Sequence, residues 1–172
     1  MSAWDRPFRL GEVRRGPVRV SLAPDGAQRA AAARQLHLVS LPALGAELTV
    51  RPWLDGIEVA GRFDAVVEQV CGVTLDAFEA SVTGDILLRA VPAGSPNAAA
   101  VEGGEVELDP EGDDPPDVLD GDAVDLAAYV LEHLALELDP FPRKPGATFA
   151  YASTEVETSP FAALRDLPTP KA

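Results

Sequence analysis

Three features of the chain point to an α+β fold: a bent antiparallel β-sheet of about six strands, partly barrel-like, packed with two helices and interrupted by an acidic flexible insertion. The first is strict alternation of apolar and polar residues in Ala46–Arg51 and again in Ile57–Val67, around the turn signal Asp55-Gly56. The second is an Ala-rich run, Ala27–Leu36, following Pro24-Asp-Gly26. The third is an apolar stripe at helical spacing, Leu126, Ala127, Val130, Leu131, Leu134 and Leu138, ahead of Pro140 and Pro142.

Taken in order, Phe8–Leu10 and Val18–Leu22 read as two short strands around Gly16-Pro17, leaving Arg9, Arg15 and Arg19 outside the core. The Ala-rich helix is expected over Asp25–Leu36, with Ala30, Ala33 and Leu36 against the sheet and Gln28, Arg29 and Arg34 mostly in water. In the hairpin that follows, Ile57, Val59, Gly61, Phe63, Ala65 and Val67 share a face. Pro52, which has no N–H for a ladder, marks an edge or the end of its strand. Phe78, Ala80 and Val82 then share a face, and Ile86-Leu87-Leu88 continues that strand.

The composition changes at about residues 93–120, where eleven acids and no basic residue fall between Glu102 and Asp125. Charge repulsion and few buriable side chains predict a flexible insertion there, with Val106 and Leu108 in a brief strand. The second helix is expected over Ala123–Leu138, with Asp122 as its cap and Asp125 in its first turn. The expected organisation is one domain, residues 1–150, and a tail, residues 151–172, holding the short amphipathic segment Ser159–Leu167.

The net charge of −14 disguises a split. Met1–Arg62 has nine arginines and six acids, net +3, whereas Phe63–Ala172 has five basic residues and twenty-two acids, net −17. A polyanion suits the first half and a basic partner the second. One cysteine excludes an internal disulfide framework, and no membrane-length apolar run occurs, so the reading is a soluble cytoplasmic protein with no membrane or DNA partner.

Catalytic chemistry is not indicated. Cys71 has only His37 and His133 as candidate bases. His133 falls beside the helical stripe, and His37 sits just past the first helix, where it can meet the last carbonyls. Three Cys or His residues are too few for a protein-only zinc site. The carboxylates of Asp120-Gly-Asp-Ala-Val-Asp125 do not have the spacing of a twelve-residue calcium loop. Gly103-Gly104 lacks the Lys and the following helix of a phosphate loop. No cofactor, metal or catalytic residue is therefore expected. RNA contact is assigned to Arg9, Arg14, Arg15, Arg19 and Arg51, with Trp4, Phe8 and Trp53 nearby as candidate stacking rings. Partner contact is assigned to Arg143, Lys144, Phe161 and Leu164.

Three stretches in this order resemble the YceD family, the large ribosomal RNA subunit accumulation proteins. They are Gly61–Phe78 with VVEQVCGVTLDAF, Val124–Ala147 with VDLAAYVLEHLALELDPFPRKPGA, and the terminal SPFAALRDL. The segment RKPGA is similar to members of alphaproteobacterial type. The resemblance implies a non-enzymatic role in accumulation or processing of 23S ribosomal RNA. Its partners would be that RNA or a precursor particle, with a basic ribosomal protein as a second candidate. Many members carry a second cysteine three residues after the first; here that place is Thr74, which removes a dithiol or metal role and leaves Cys71 as a small, poorly reactive hydrophobe. The alternatives are an acidic adaptor or chaperone for a basic protein with no RNA contact, and a thiol- or metal-dependent hydrolase.

Overall fold

The computed structural model describes residues 4–98 and 115–149. Its strands are β1 (Pro7–Arg9), β2 (Val18–Leu22), β3 (Ser40–Trp53), β4 (Gly56–Val70), β5 (Ala77–Pro92), β6 (Asp117–Leu119) and β7 (Ala123–Asp125). Its helices are α1 (Gly26–Gln35) and α2 (Leu126–Glu137), and a 3-10 turn spans Leu10–Arg15. The fold is α+β, as expected: β2-β3-β4-β5-β6 form one five-stranded sheet, which is not closed, and β1-β7 form a separate two-stranded ladder. The sheet is mixed rather than wholly antiparallel, because β6 joins β5 in parallel, Ala90 opposite Asp117. The brief strand expected at Val106–Leu108 and the amphipathic segment at Ser159–Leu167 lie outside the described residues.

Long β3, β4 and β5 follow from alternation sustained over about fourteen residues each, which lets every second side chain reach one core. That core joins Val20, Leu48, Val50, Ile57, Val59, Phe63 and Ile86 of the sheet to Ala32 and Ala33 of α1 and to the α2 stripe. Trp4, Phe8 and Val13 enter it as well. Pro42 and Pro52 sit in β3 without penalty because β2 pairs only with Ala46–Val50, so each proline lies where β3 has a strand on one side alone.

Several local expectations are corrected. The β3-β4 turn is centred on Leu54-Asp55, not Asp55-Gly56, with Leu54 at φ 50°. Gly56 is already in the ladder, where an added Cβ would stand 2.0 Å from the Ala90 carbonyl oxygen. The cap of α2 is Asp125, not Asp122: its Oδ1 accepts from the N–H groups of Ala127 and Ala128 and from Arg6 N at 2.8 Å. Residues Ala123–Asp125 pair with β1 instead of starting the helix, so Asp122 contributes its carbonyl to Leu10 N. On α1, Ala32 joins Ala33 on the core face in place of Ala30, which is exposed.

The end of α1 is a Schellman arrangement: Leu38 N donates to Ala33 O and His37 N to Arg34 O, with His37 at φ 56°. His37 thus caps through its backbone. His133 Nδ1 lies 2.8 Å from Tyr129 O within α2, a structural bond. No helix among the described residues is long and apolar enough to cross a membrane.

Candidate functional site

The face of the sheet turned away from the core is polar by alternation, and at its Trp53 end the register concentrates charge. Pairing outward from the Leu54-Asp55 turn puts Arg51 opposite Glu58, and Glu58 in turn opposite Arg89. The result is an Arg-Glu-Arg row across three strands. Arg51 Nε donates to Glu58 Oε1 at 2.7 Å, with its Nη2 on the same oxygen, and Arg89 Nε donates to Oε2 at 3.1 Å. Glu58 is only 3% exposed, whereas the Arg51 side chain is 57% exposed. Burial pushes the Glu58 carboxyl up, but the hydrogen bonds and charges of the two arginines outweigh it and hold the group below its ordinary value. The Arg89 guanidinium also lies 5.1 Å from the centre of the Trp53 ring.

The remaining predicted arginines divide. Arg19 is opposite Thr49, and alternation puts it on the same face as Arg51. Arg14 and Arg15 end the 3-10 turn immediately before Val18, which pairs with Val50, so the chain delivers them to the same end of the sheet. Arg14, Arg15 and Arg19 are exposed and form no ion pair among the described residues. Arg9 is on the β1-β7 ladder, opposite Ala123. Trp4 and Phe8 are core residues at 5% and 4% exposure, which removes them as stacking rings and leaves Trp53. Arg89 was missed because it stands alone in the acidic half; extending the hairpin register to a third strand would have found it.

Arg143 and Lys144 lie at the opposite end, beside the β4-β5 connection. There Cys71 is fully buried, and its Sγ accepts from the N–H groups of Val73, Thr74 and Lys144 at 3.3–3.4 Å. Gly72 N donates to Pro142 O, and Lys144 Nζ reaches Asp76 Oδ2 at 3.3 Å, tying the hairpin tip to the chain after α2. The Thr74 hydroxyl first, then the surrounding amides, lower the Cys71 thiol from 9.0 to about 6. Burial in this turn denies the sulfur an open approach, so the residue stays structural despite its lowered pKa. Phe161 and Leu164 lie outside the described residues.

The family model described as "Large ribosomal RNA subunit accumulation protein YceD" matches residues 59–168, well over half of the chain. The chain belongs to the YceD family. The match identifies the family and not a subdivision of it. No curated protein and no solved structure matches the chain. The YceD span takes in Arg89, the Cys71 turn, α2, Arg143, Lys144, Phe161 and Leu164, while Arg9, Arg14, Arg15, Arg19 and Arg51 precede it.

Proposed function

We propose that this YceD-family protein acts without catalysis in large ribosomal subunit biogenesis, supporting accumulation of 23S ribosomal RNA by contacting that RNA or a precursor particle in the cytoplasm. The family match supports the ribosomal role. The observation that carries RNA contact is the register that puts Arg19, Arg51 and Arg89 on one sheet face near Trp53, with exposed Arg14 and Arg15 in the turn just before β2. Exposed guanidinium groups beside a ring suit a phosphate backbone with unstacked bases. Glu58 is the buried acid among them; it neutralises part of the charge but fixes Arg51 and Arg89 in place.

The acidic half, net −17 over Phe63–Ala172, favours a second contact, with a basic ribosomal protein. Arg9 is a peripheral member of the RNA surface; Arg143 and Lys144 at the other end belong to partner contact, to which Phe161 and Leu164 of the sequence are also assigned. Capture of the tagged protein from cells, with and without nuclease, separates the two contacts. Large-subunit RNA recovered by ultraviolet crosslinking supports the proposal. A partner set that is unchanged by nuclease and includes no crosslinked RNA favours the adaptor reading instead.

A further inference from the structure

The charges on the outward face of the sheet repeat with inverted sign. The ladder sets that face in rows across β3, β4 and β5, about 6.7 Å apart along the strands. One row, Arg51-Glu58-Arg89, runs positive, negative, positive. Two residues further along each strand, Thr49-Ala60-Leu87 carries no charge, and two further again Glu47-Arg62-Asp85 runs negative, positive, negative. Gly45-Asp64-Thr83 follows. The two charged rows are satisfied differently within the chain. Glu58 holds both arginines of its row. Arg62 and Asp85 are exposed and form no ion pair among the described residues, although they stand opposite each other, while Glu47 accepts from the Ser21 hydroxyl at 2.6 Å. Leu87, in the uncharged row between them, is 63% exposed.

A twofold axis laid along the uncharged row exchanges the rows on either side of it. A second copy facing the first about that axis puts Arg51 over Glu47, Glu58 over Arg62 and Arg89 over Asp85, and each pair occurs twice. Trp53 comes over Gly45, a large ring against a position with no side chain. Thr49, Ala60 and Leu87 meet their own counterparts. The strands of the two sheets run antiparallel across the interface, in the aligned class of face-to-face sheet packing. The like pair, Arg19 with its counterpart at the β2 end of the uncharged row, is exposed at the rim, where salt screens it. A polyanion can use the arginine row but is repelled by Glu47, Asp64 and Asp85, whereas a second copy matches both charged rows at once.

We propose that two copies of this chain pack the outward faces of their sheets together about the Thr49-Ala60-Leu87 row. The patch, three strands by five rows counting Trp53-Gly56, measures about 14 Å by 27 Å, small for a permanent interface, so the dimer forms and dissociates with concentration. Arg51 and Arg89 then alternate between the second copy and RNA. The test uses the intact chain without RNA, so its failure leaves the RNA reading untouched. Sedimentation velocity over about a hundredfold range of concentration should show one chain giving way to two. Arg62→Glu, which sets like charges over each other at Glu58, should move that transition to at least about tenfold higher concentration. Leu87→Cys lies on the axis and should be joined to its counterpart by a short bismaleimide. Thr83→Cys, also at an exposed position, is about 27 Å from its counterpart along the strands and should not be joined. Wild type, with Cys71 buried, is the blank. A single chain at every concentration, an unshifted transition in Arg62→Glu, or joining of Thr83→Cys as readily as Leu87→Cys overturns the proposal.

Discussion

Arg89 Nε lies 3.1 Å from Glu58 Oε2 on the neighbouring strand, and the carboxylate between Arg89 and Arg51 is almost sealed from water. A buried charge is tolerated there because both of its oxygens are occupied. Glu58→Gln removes the charge and leaves two guanidinium groups side by side. It should cost about 2 kcal/mol, discounted from a fully buried pair because Arg51 can return to solvent. Thermal denaturation checks this: the midpoint should fall by about 4–8 °C.

The same carboxyl gives a pH dependence. Its folded pKa lies below the ordinary value of 4.5, so the unfolded chain takes up its proton first as pH falls. The stabilisation is complete above the ordinary carboxylate range and is lost as pH drops through the depressed value. Melting midpoints of wild type and Glu58→Gln, compared from pH 7 to pH 3, should therefore converge at the acid end. A constant gap would mean that Glu58 does not titrate differently in the fold.

Gly61 faces the core opposite Leu48, and a Cβ there would stand 2.1 Å from the Glu47 carbonyl oxygen and 2.9 Å from Leu48 Cα. Both obstacles are backbone, so relief requires β3 and β4 to separate. Gly61→Ala should destabilise by about 3 kcal/mol or more, or prevent folding. Soluble yield and urea midpoint report it.

His37 holds a left-handed conformation that costs a side-chain-bearing residue about 1 kcal/mol relative to glycine. It is exposed, and its capping bond is made by the backbone, which glycine retains. His37→Gly should raise the melting midpoint by about 2–4 °C.

Periodicity carried the long elements. The alternation through Ala46–Val67 and the stripe Leu126–Leu134 led directly to β3, β4 and α2, because those segments bury a face over many residues and leave no competing register. What escaped was decided by tertiary pairing. Val124 and Asp125 resemble the first turn of a helix, yet they bond to β1 because Phe8 and Val124 enter the core together, and the cap moves from Asp122 to Asp125. Trp4 gave no local sign of being core rather than surface, whereas the alternation Phe8-Arg9-Leu10 already set Phe8 on the face opposite Arg9. Arg51 and Arg19 were legible as outward-facing from alternation alone. The Glu58–Arg89 half of the site was not, since it depends on which strand β4 meets on its far side.

The central claim is that exposed arginines at the Trp53 end couple this protein to large-subunit RNA. The most direct measurement is sedimentation of wild type and of Arg14→Glu/Arg15→Glu/Arg19→Glu with large-subunit precursors from cells, the substituted positions being exposed and outside the Glu58 row. Wild type should co-sediment in a salt-sensitive manner and the triple variant, folded by circular dichroism, should remain at the top of the gradient. Equal co-sedimentation of the two proteins would contradict the account.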